Sequence, residues 1–509
     1  MSPRRSVLGN AAWNWAGMAV NMAAGFATAP FLVRRLGETN YGLWIVLASF
    51  TSYFGMLDLG VRGAVGRQVA YRRAQGDRAG VNATLSTALA ILGAAGLLAL
   101  LGSVGASLAV TRLFEIPPDQ VGAARLSLLL IGVNLALWLP LNVFDATLWA
   151  YQRFDLLNII DVAAVAARTA LTFALIGRGH GIVTLAWLNL ITLAGAQAAK
   201  GAVSVWLDPT LRATLGGVGR AAARDLMGYG VWYFLISASR TLTTQASPLV
   251  IGARLGIGLV TPFSVATRLV GYAGGLIVAG SGVLTPVATA MHAEGGVDRQ
   301  RRLMVQGGRC CLSLSLYFVG LFALLGRPLI AAWMGPTLAA SSAPLLAILA
   351  LGEALPMSQW ITHGLILGMG RHRPLALANL AEAAATVLLA VVLSRPYGLM
   401  GLCVALAIPS TLSRGVFQLL YGCRLLGISP RAYLSDVIAP VAAAGAIIVA
   451  ALWVATIATP PRSTPVFLAY CACYTFCFGI CVVVIGGRPW SVRPEVPRPL
   501  VEPWERPHV

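Results

Sequence analysis

Pro30-Phe31-Leu32-Val33-Arg34-Arg35-Leu36-Gly37, followed by Tyr41-Gly42-Leu43-Trp44 and Asp58-Leu59-Gly60, is the stretch on which the fold turns. It lies in an apolar two-helix hairpin between Asn10 and Arg73, and part of it returns later in the chain. Pro248-Leu249-Val250-Ile251, Arg254-Leu255-Gly256 and Ala266-Thr267-Arg268 form the echo. Two further matches keep nearly the same spacing. Gln152-Arg153 recurs as Gly370-Arg371, and Asn158-Ile159-Ile160-Asp161 recurs as Asn379-Leu380-Ala381-Glu382. Three matches at offsets of 218 to 221 residues indicate a repeated helical unit.

Composition sets the solvent of that unit. Hydrophobic residues make up 58% of the 509, charged residues only 11%, and mean hydropathy is +0.77. Soluble domains carry about 25% charged residues. A crossing of the bilayer takes roughly 20 apolar residues, and the runs here are long and rich in Ala, Leu, Val and Gly rather than alternating. The chain therefore reads as an all-α polytopic membrane protein of about fourteen transmembrane helices, in two tandem six-helix lobes plus two C-terminal helices. The expected organisation is an N-lobe over 1–206, a cytoplasmic linker over 207–228, a C-lobe over 229–422, two added spans over 423–487 and a Pro-rich cytoplasmic tail over 488–509. The first apolar stretch, from about Val7 to Val33, is too long for a cleaved signal. An even-numbered repeat keeps its orientation, so the lobes should be related by an axis along the membrane normal, with a cleft between them.

The net charge of +19 raises the question of nucleic acid. The arginines are scattered over short loops, however, and the positive-inside rule accounts for them better. With both termini inside, 24 of the 37 basic residues fall in inward loops and tails and nine in outward loops. The expected location is a bacterial inner membrane, with cytoplasmic termini. Four of the eight cysteines sit in the last span: Cys471, Cys473, Cys477 and Cys481. No His or carboxylate is near them in sequence, so they read as packing residues; no metal or cofactor is expected. Gly216-Gly217-Val218-Gly219 lacks the Lys of a phosphate-binding loop and reads as linker. The loops are too short for a soluble catalytic domain, so the chain does not read as an enzyme.

Ionised residues inside hydrocarbon cost about 2.5–3.5 kcal/mol on insertion scales, so they should face a wet cavity or a partner. Arg240, Arg268 and Arg168 fall near the middle of the seventh, eighth and fifth spans. They suit a phosphate-bearing cargo, since a guanidinium fork matches phosphate oxygens. Alternatively they pair with Glu353, Asp161 or backbone carbonyls and lock helices together. Asn10, Asn14, Asn21 and Thr28 put a polar face on the first span, suited to sugar hydroxyls or to helix–helix contacts. Glu353 and His363 are candidates for ion coupling through a proton relay. Asp58 is placed to pair with Arg62, one turn on. Gly271 and Gly275 suggest close packing of the eighth span.

The run from Pro30 through Arg35-Leu36-Gly37, Tyr41-Gly42-Leu43-Trp44 and Leu57-Asp58-Leu59-Gly60 resembles the polysaccharide-transporter (O-antigen flippase-like) family of the multidrug/oligosaccharidyl-lipid/polysaccharide exporter superfamily. The resemblance continues through Ile251-Gly252, Leu255-Gly256 and Ser264-Val265-Ala266-Thr267-Arg268-Leu269. It implies twelve or fourteen helices in two lobes. It also implies a polyprenyl-diphosphate-linked glycan moved from inner to outer leaflet. Under it, Arg240, Arg268 and Arg168 are diphosphate candidates and Asn10, Asn14 and Asn21 glycan candidates. Expected partners are the lipid-linked glycan, membrane lipid and a glycan polymerase or glycosyltransferases; a monomer is expected, without nucleic acid. Many relatives carry an acid near the position of Ser247-Pro248, where this chain has none. A cation-coupled multidrug exporter and a peptidoglycan-precursor flippase of the same superfamily are the alternatives, and a membrane glycan polymerase or ligase is a more distant one.

Overall fold

A backbone crossing hydrocarbon must pair its own N–H and C=O groups, so a chain this apolar folds as helices. That is the architecture of the computed structural model, which describes residues 3–176, 181–212, 214, 217–282, 296–371, 373–461 and 463–486. The described residues hold helices and turns and no strand. In chain order the first helices are α1 (Pro3–Gly55), α2 (Val61–Ala74), α3 (Arg78–Leu113), α4 (Val121–Ala150), α5 (Phe154–Ile176) and α6 (Ile182–Leu207). Then come α7 (Arg220–Arg254), α8 (Val260–Gly282), α9 (Val297–Met334), α10 (Pro336–Ser358), α11 (Trp360–Gly368) and α12 (Arg373–Ser410). A π-helical turn, Thr411–Phe417, leads into α13 (Gln418–Leu426). The last are α14 (Pro430–Tyr433), α15 (Ala439–Ala458) and α16 (Thr464–Gly486).

Ten described stretches are long and apolar enough to cross a membrane. Two of them are broken by glycine, at Gly37 in α1 (φ 79°, ψ 164°) and Gly398 in α12 (φ 55°, ψ −137°). Each therefore holds two membrane-length helices. With α7 and α8 the described residues give fourteen, the number the apolar pattern predicts. The linker expected over 207–228 is shorter than that: α7 already begins at Arg220. Ala221, Ala222 and Ala223 are strong helix formers and extend the helix back. The predicted tail over 488–509 lies outside the described residues.

The repeat has a geometric counterpart. Gly37 and Gly256, equivalent in the two copies, both take positive φ, at 79° and 107°. Gln152 and Gly370, the second matched pair, lie at φ 56° and 71°. Their helix ends are capped alike. Gln152 N–H donates to Trp149 O (2.9 Å) and Arg153 N–H to Leu148 O (3.0 Å). Gly370 N–H donates to Leu367 O (3.0 Å) and Arg371 N–H to Ile366 O (3.2 Å).

The chain divides into two compact units. The first comprises Met1–Tyr272, Gly326–Leu349 and Ala376–Pro409; the second comprises Ala273–Leu325, Ala350–Leu375 and Ser410–Val509. In the first, α3 packs along α4 and α4 along α6. Gly96 lets the α3 and α4 backbones meet, since a Cβ there would stand 3.0 Å from the Ala136 Cα. Leu92, Leu128, Leu135 and Leu139 are fully buried around this contact. Asp77 caps α3, accepting from Gly80 N–H at 2.8 Å. The first unit has an arginine-richer end, with Arg62–Arg78, Arg153 and Arg212–Arg224. The opposite end is poorer in arginine; it carries Gly37, Gly256, Gly335 and Gly398, with Arg34, Arg35, Arg112, Arg125, Arg254, Arg327 and Arg395.

The second unit is centred on α9, α15 and α16. Leu312, Val441 and Cys481 form a buried cluster, and Tyr317 stacks on Tyr474 at 5.2 Å. Arg301 Nε donates to Leu426 O (2.7 Å) and Arg309 Nε to Asp436 O (2.9 Å), occupying carbonyls near helix ends. The α16 cysteines are free thiols, and no group able to hold a metal occurs among the described residues.

Candidate functional site

The first unit encloses a cavity of about 400 Å³. Its walls come from both arms of α1, from α5 and α6, and from single residues of α7 and α8. Arg168 and Arg268 line it, with Asn21, Thr28, Asn189 and Gln245 as further polar groups. Tyr41 and Trp44 add aromatic surface, and the described lining contains no Asp or Glu. Arg168 Nη1 donates to Asn189 Oδ1 at 3.1 Å. Arg268 hydrogen-bonds Tyr272, one turn further along α8, and lies within Coulombic reach of Tyr41. Both guanidinium-bearing side chains keep accessible surface although they lie deep in the unit.

Their depths match. Arg168 stands eight residues before the end of α5 and Arg268 eight residues after the start of α8. At ~1.5 Å per residue, both lie about 12 Å from the arginine-poor end. Gly25 makes the juxtaposition possible: a Cβ there would lie 2.7 Å from Tyr272 Oη and 3.8 Å from Arg268 Nη1. Asn21 and Thr28 turn toward the cavity but bond back to their own helix. Asn21 Nδ2 donates to Gly17 O (2.9 Å) and Thr28 Oγ1 to Ala24 O (2.7 Å). The amide oxygen of Asn21 remains as an acceptor.

On its arginine-poor side the cavity is bounded by contacts between the two sequence repeats. Thr261 Oγ1 donates to Glu38 O (2.6 Å), and Gly42 packs directly on the Ile257 carbonyl. Trp333 Nε1 donates to Phe26 O (2.8 Å), and the two rings stack at 4.6 Å. Within the second repeat, Arg254 Nη1 donates to Val391 O at 2.8 Å.

The other sequence candidates fall elsewhere. Arg240 is exposed on α7, fourteen residues from its end, and does not line the cavity. That places it roughly 9 Å further toward the arginine-rich end than Arg168 and Arg268. The side chains of Asn10 and Asn14 lie outside the described residues. Glu353 and His363 do not form a relay pair. Glu353 Oε1 accepts from Arg414 Nη2 (2.6 Å) and from Ser410 Oγ (2.7 Å), while His363 packs edge-on to Trp360. Ten residues separate Glu353 from His363, about 15 Å of helical rise. The π turn at Thr411–Phe417 carries Arg414, a spacing that periodicity does not reveal. Asp58 accepts a backbone hydrogen bond from Arg62 and feels its charge, while the close ion pair of Arg62 Nη2 is with Asp145, at 3.4 Å. Gly271 faces open space rather than a packed neighbour.

Lys200 lies inside α6, its side chain 3% exposed, with Nζ 2.6 Å from Asp145 Oδ1 and 2.7 Å from Asp161 Oδ1. Helices α2, α4, α5 and α6 are thus joined by one charge cluster near the arginine-rich end. Its members are far apart in sequence, so no local spacing signals it. The cavity residues Asn189 and Gln245 were missed for the same reason: single amides in apolar spans carry no pattern.

A family described as polysaccharide biosynthesis protein matches residues 7–292, more than half of the chain. The chain belongs to the polysaccharide biosynthesis protein family. This member is 24% identical over 422 residues to the uncharacterized membrane protein EpsK of Bacillus subtilis (strain 168), covering 82% of this chain and 83% of that one. It is 24% identical over 156 residues to a protein of Shigella flexneri assigned as an O-antigen transporter; that match spans 30% of this chain and 36% of the relative. The solved structure of the lipid II flippase MurJ in an inward closed conformation superimposes with a TM-score of 0.74. Identity there is 12%, over 94% of this chain and 98% of that one, so the likeness is one of fold. Family and fold together make this polysaccharide biosynthesis protein a multi-pass membrane protein.

Proposed function

We propose that the chain is a flippase that carries a polyprenyl-diphosphate-linked oligosaccharide from the inner to the outer leaflet by alternating access, for cell-surface polysaccharide biosynthesis. The observation that carries the reading is the pair Arg168 and Arg268, at equal depth in a cavity whose described lining has no carboxylate. Two guanidinium forks suit a diphosphate, which offers several anionic oxygens at once. Asn21, Asn189 and Gln245 present amide groups to sugar hydroxyls, whose transfer into hydrocarbon without partners is costly. The lipid tail needs no such shelter and stays in the bilayer. The relatives support this cargo class, one being assigned as an O-antigen transporter and one structural neighbour being a lipid II flippase. A cationic drug would meet two positive charges in this cavity and no acid, which argues against the exporter alternative.

The direction follows from charge. The arginine-rich end faces the cytoplasm, with both termini, by the positive-inside bias. An inside-negative potential then drives an anion outward, by about 2.3 kcal/mol per charge for each ~100 mV. Glycosyltransferases and a glycan polymerase would supply and consume the cargo on the two faces. The test is depletion of the protein followed by mass spectrometry of polyprenyl-linked glycans. A lipid-linked oligosaccharide that accumulates, inaccessible from outside the cell, is the expected outcome. Unchanged levels and accessibility of every such lipid would overturn the proposal.

A further inference from the structure

A second cavity, of about 230 Å³, lies at the arginine-rich end of the first unit, away from the cargo site. It is lined by Arg73, Arg78, Asn82, Tyr151, Asp208 and Thr210, among others. Three connections meet there: the α2–α3 turn at Gly76, the α4–α5 turn at Tyr151 and the segment after α6. The geometry is built. The Arg73 guanidinium lies over the Tyr151 ring at 3.9 Å. Tyr151 Oη donates to Asp208 Oδ2 at 2.7 Å, and Thr210 donates to Asp208 Oδ1 through its hydroxyl (2.5 Å) and its backbone N–H (3.0 Å). Asn82 straps the third wall down, donating to Thr210 O (3.1 Å) and accepting from Arg212 N–H (2.9 Å).

The charges do not cancel. Asp208 already accepts three hydrogen bonds, one from Tyr151 and two from Thr210. Burial works to raise its pKa, but the Thr210 and Tyr151 hydrogen bonds, with the Arg78 charge, outweigh that and hold the carboxyl below its ordinary value. The Arg78 guanidinium feels Asp208 at Coulombic range and makes no side-chain hydrogen bond or ion pair among the described residues. Arg73 is committed to a ring face, which leaves its N–H edges available. Two guanidinium groups therefore converge on a cavity that holds one occupied carboxylate.

The surroundings indicate the source of a ligand. Trp149 is 50% exposed two residues before Tyr151, and Trp206 is 72% exposed two residues before Asp208. Tyr71, two residues before Arg73, is 61% exposed. Exposed Trp and Tyr at helix ends mark the level of lipid headgroups. We infer that this cavity binds the phosphate of an anionic phospholipid headgroup, with Arg73 and Arg78 as the phosphate ligands and Asn82 as a further donor. Basic pockets at the cytoplasmic ends of membrane helices suit such headgroups.

The test uses the full-length protein, purified in mild detergent and exposed to phosphatidylglycerol, to phosphatidylcholine and to inorganic phosphate. Native mass spectrometry counts retained lipid, and thermal unfolding reads the stabilisation. Phosphatidylglycerol is expected to be retained and to raise the unfolding temperature, with phosphatidylcholine retained less. Each arginine near an anionic surface is worth about fivefold in affinity. Arg78→Gln should therefore weaken retention about fivefold, and Arg73→Gln/Arg78→Gln more than tenfold. Arg78→Lys should recover part of it, and circular dichroism confirms that each variant is folded. Equal retention by wild type and the folded Arg78→Gln protein would overturn the site. Stabilisation by inorganic phosphate equal to that by phosphatidylglycerol would overturn the lipid as its source.

Discussion

The cavity and the charge cluster rest on individual side chains. Lys200 bridges Asp145 and Asp161 at 2.6 and 2.7 Å from a buried position. Removing one member of such a group leaves an uncompensated buried charge, at about 3–5 kcal/mol. Lys200→Met should therefore lower the unfolding temperature sharply. Asp145→Asn/Lys200→Met should recover most of the loss, because Asp161 is half exposed and screened. Equal destabilisation by both variants would contradict the cluster. Tyr151 gives a pH signature. Burial, and then its hydrogen bond to Asp208, push its hydroxyl from 10.0 up to about 12. A raised folded value adds stability that is whole below about pH 10 and is lost as pH rises through about 12. Tyr151→Phe should lose that pH-dependent part, so the gap between the two unfolding curves should narrow across that window. Arg168 and Arg268 were legible as charges at mid-depth. What the sequence could not show is that Arg268 meets Gly25 and Tyr272 whereas Arg240 stands a turn and a half away.

At the scale of elements, glycines set the turns. Gly37 and Gly256 combine φ of 79° and 107° with ψ of 164° and 146°, a region nearly closed to residues with a Cβ. Gly37→Ala and Gly256→Ala should each cost about 1–3 kcal/mol in unfolding measurements, although neither site is crowded. Gly370→Gln should cost no more than about 1–2 kcal/mol, since Gln152 already occupies the equivalent cap at φ 56°. Comparable losses at all three positions would argue against conformation as the cause. The repeat was visible in sequence because these turn residues recur at one offset. The π turn carrying Arg414 was not, because one extra residue per turn leaves no mark on hydropathy.

For the whole molecule, transport is the property to measure. In proteoliposomes, Arg168→Ala and Arg268→Ala should each slow flipping of a polyprenyl-diphosphate glycan about 10–100-fold, the worth of one charge-assisted contact of roughly 1.5–3 kcal/mol. Arg268→Lys should retain an intermediate rate, and Arg240→Ala should lose less than either. Equal losses at all three positions would detach the effect from the cavity. Reporter fusions at both ends should be active only in the cytoplasm; a periplasmic signal from either would reverse the orientation proposed from charge. By itself, the sequence determined the solvent, the helical class, the fourteen crossings and the family, because each rests on composition, on runs of apolar residues or on local motifs. Partnership was decided only by the tertiary structure: Arg168 with Asn189, Lys200 with two aspartates, Glu353 with Arg414 rather than His363. The physical reason is that a charge in hydrocarbon must be satisfied, but several neighbouring helices can supply the partner, and packing selects which one comes within hydrogen-bond reach.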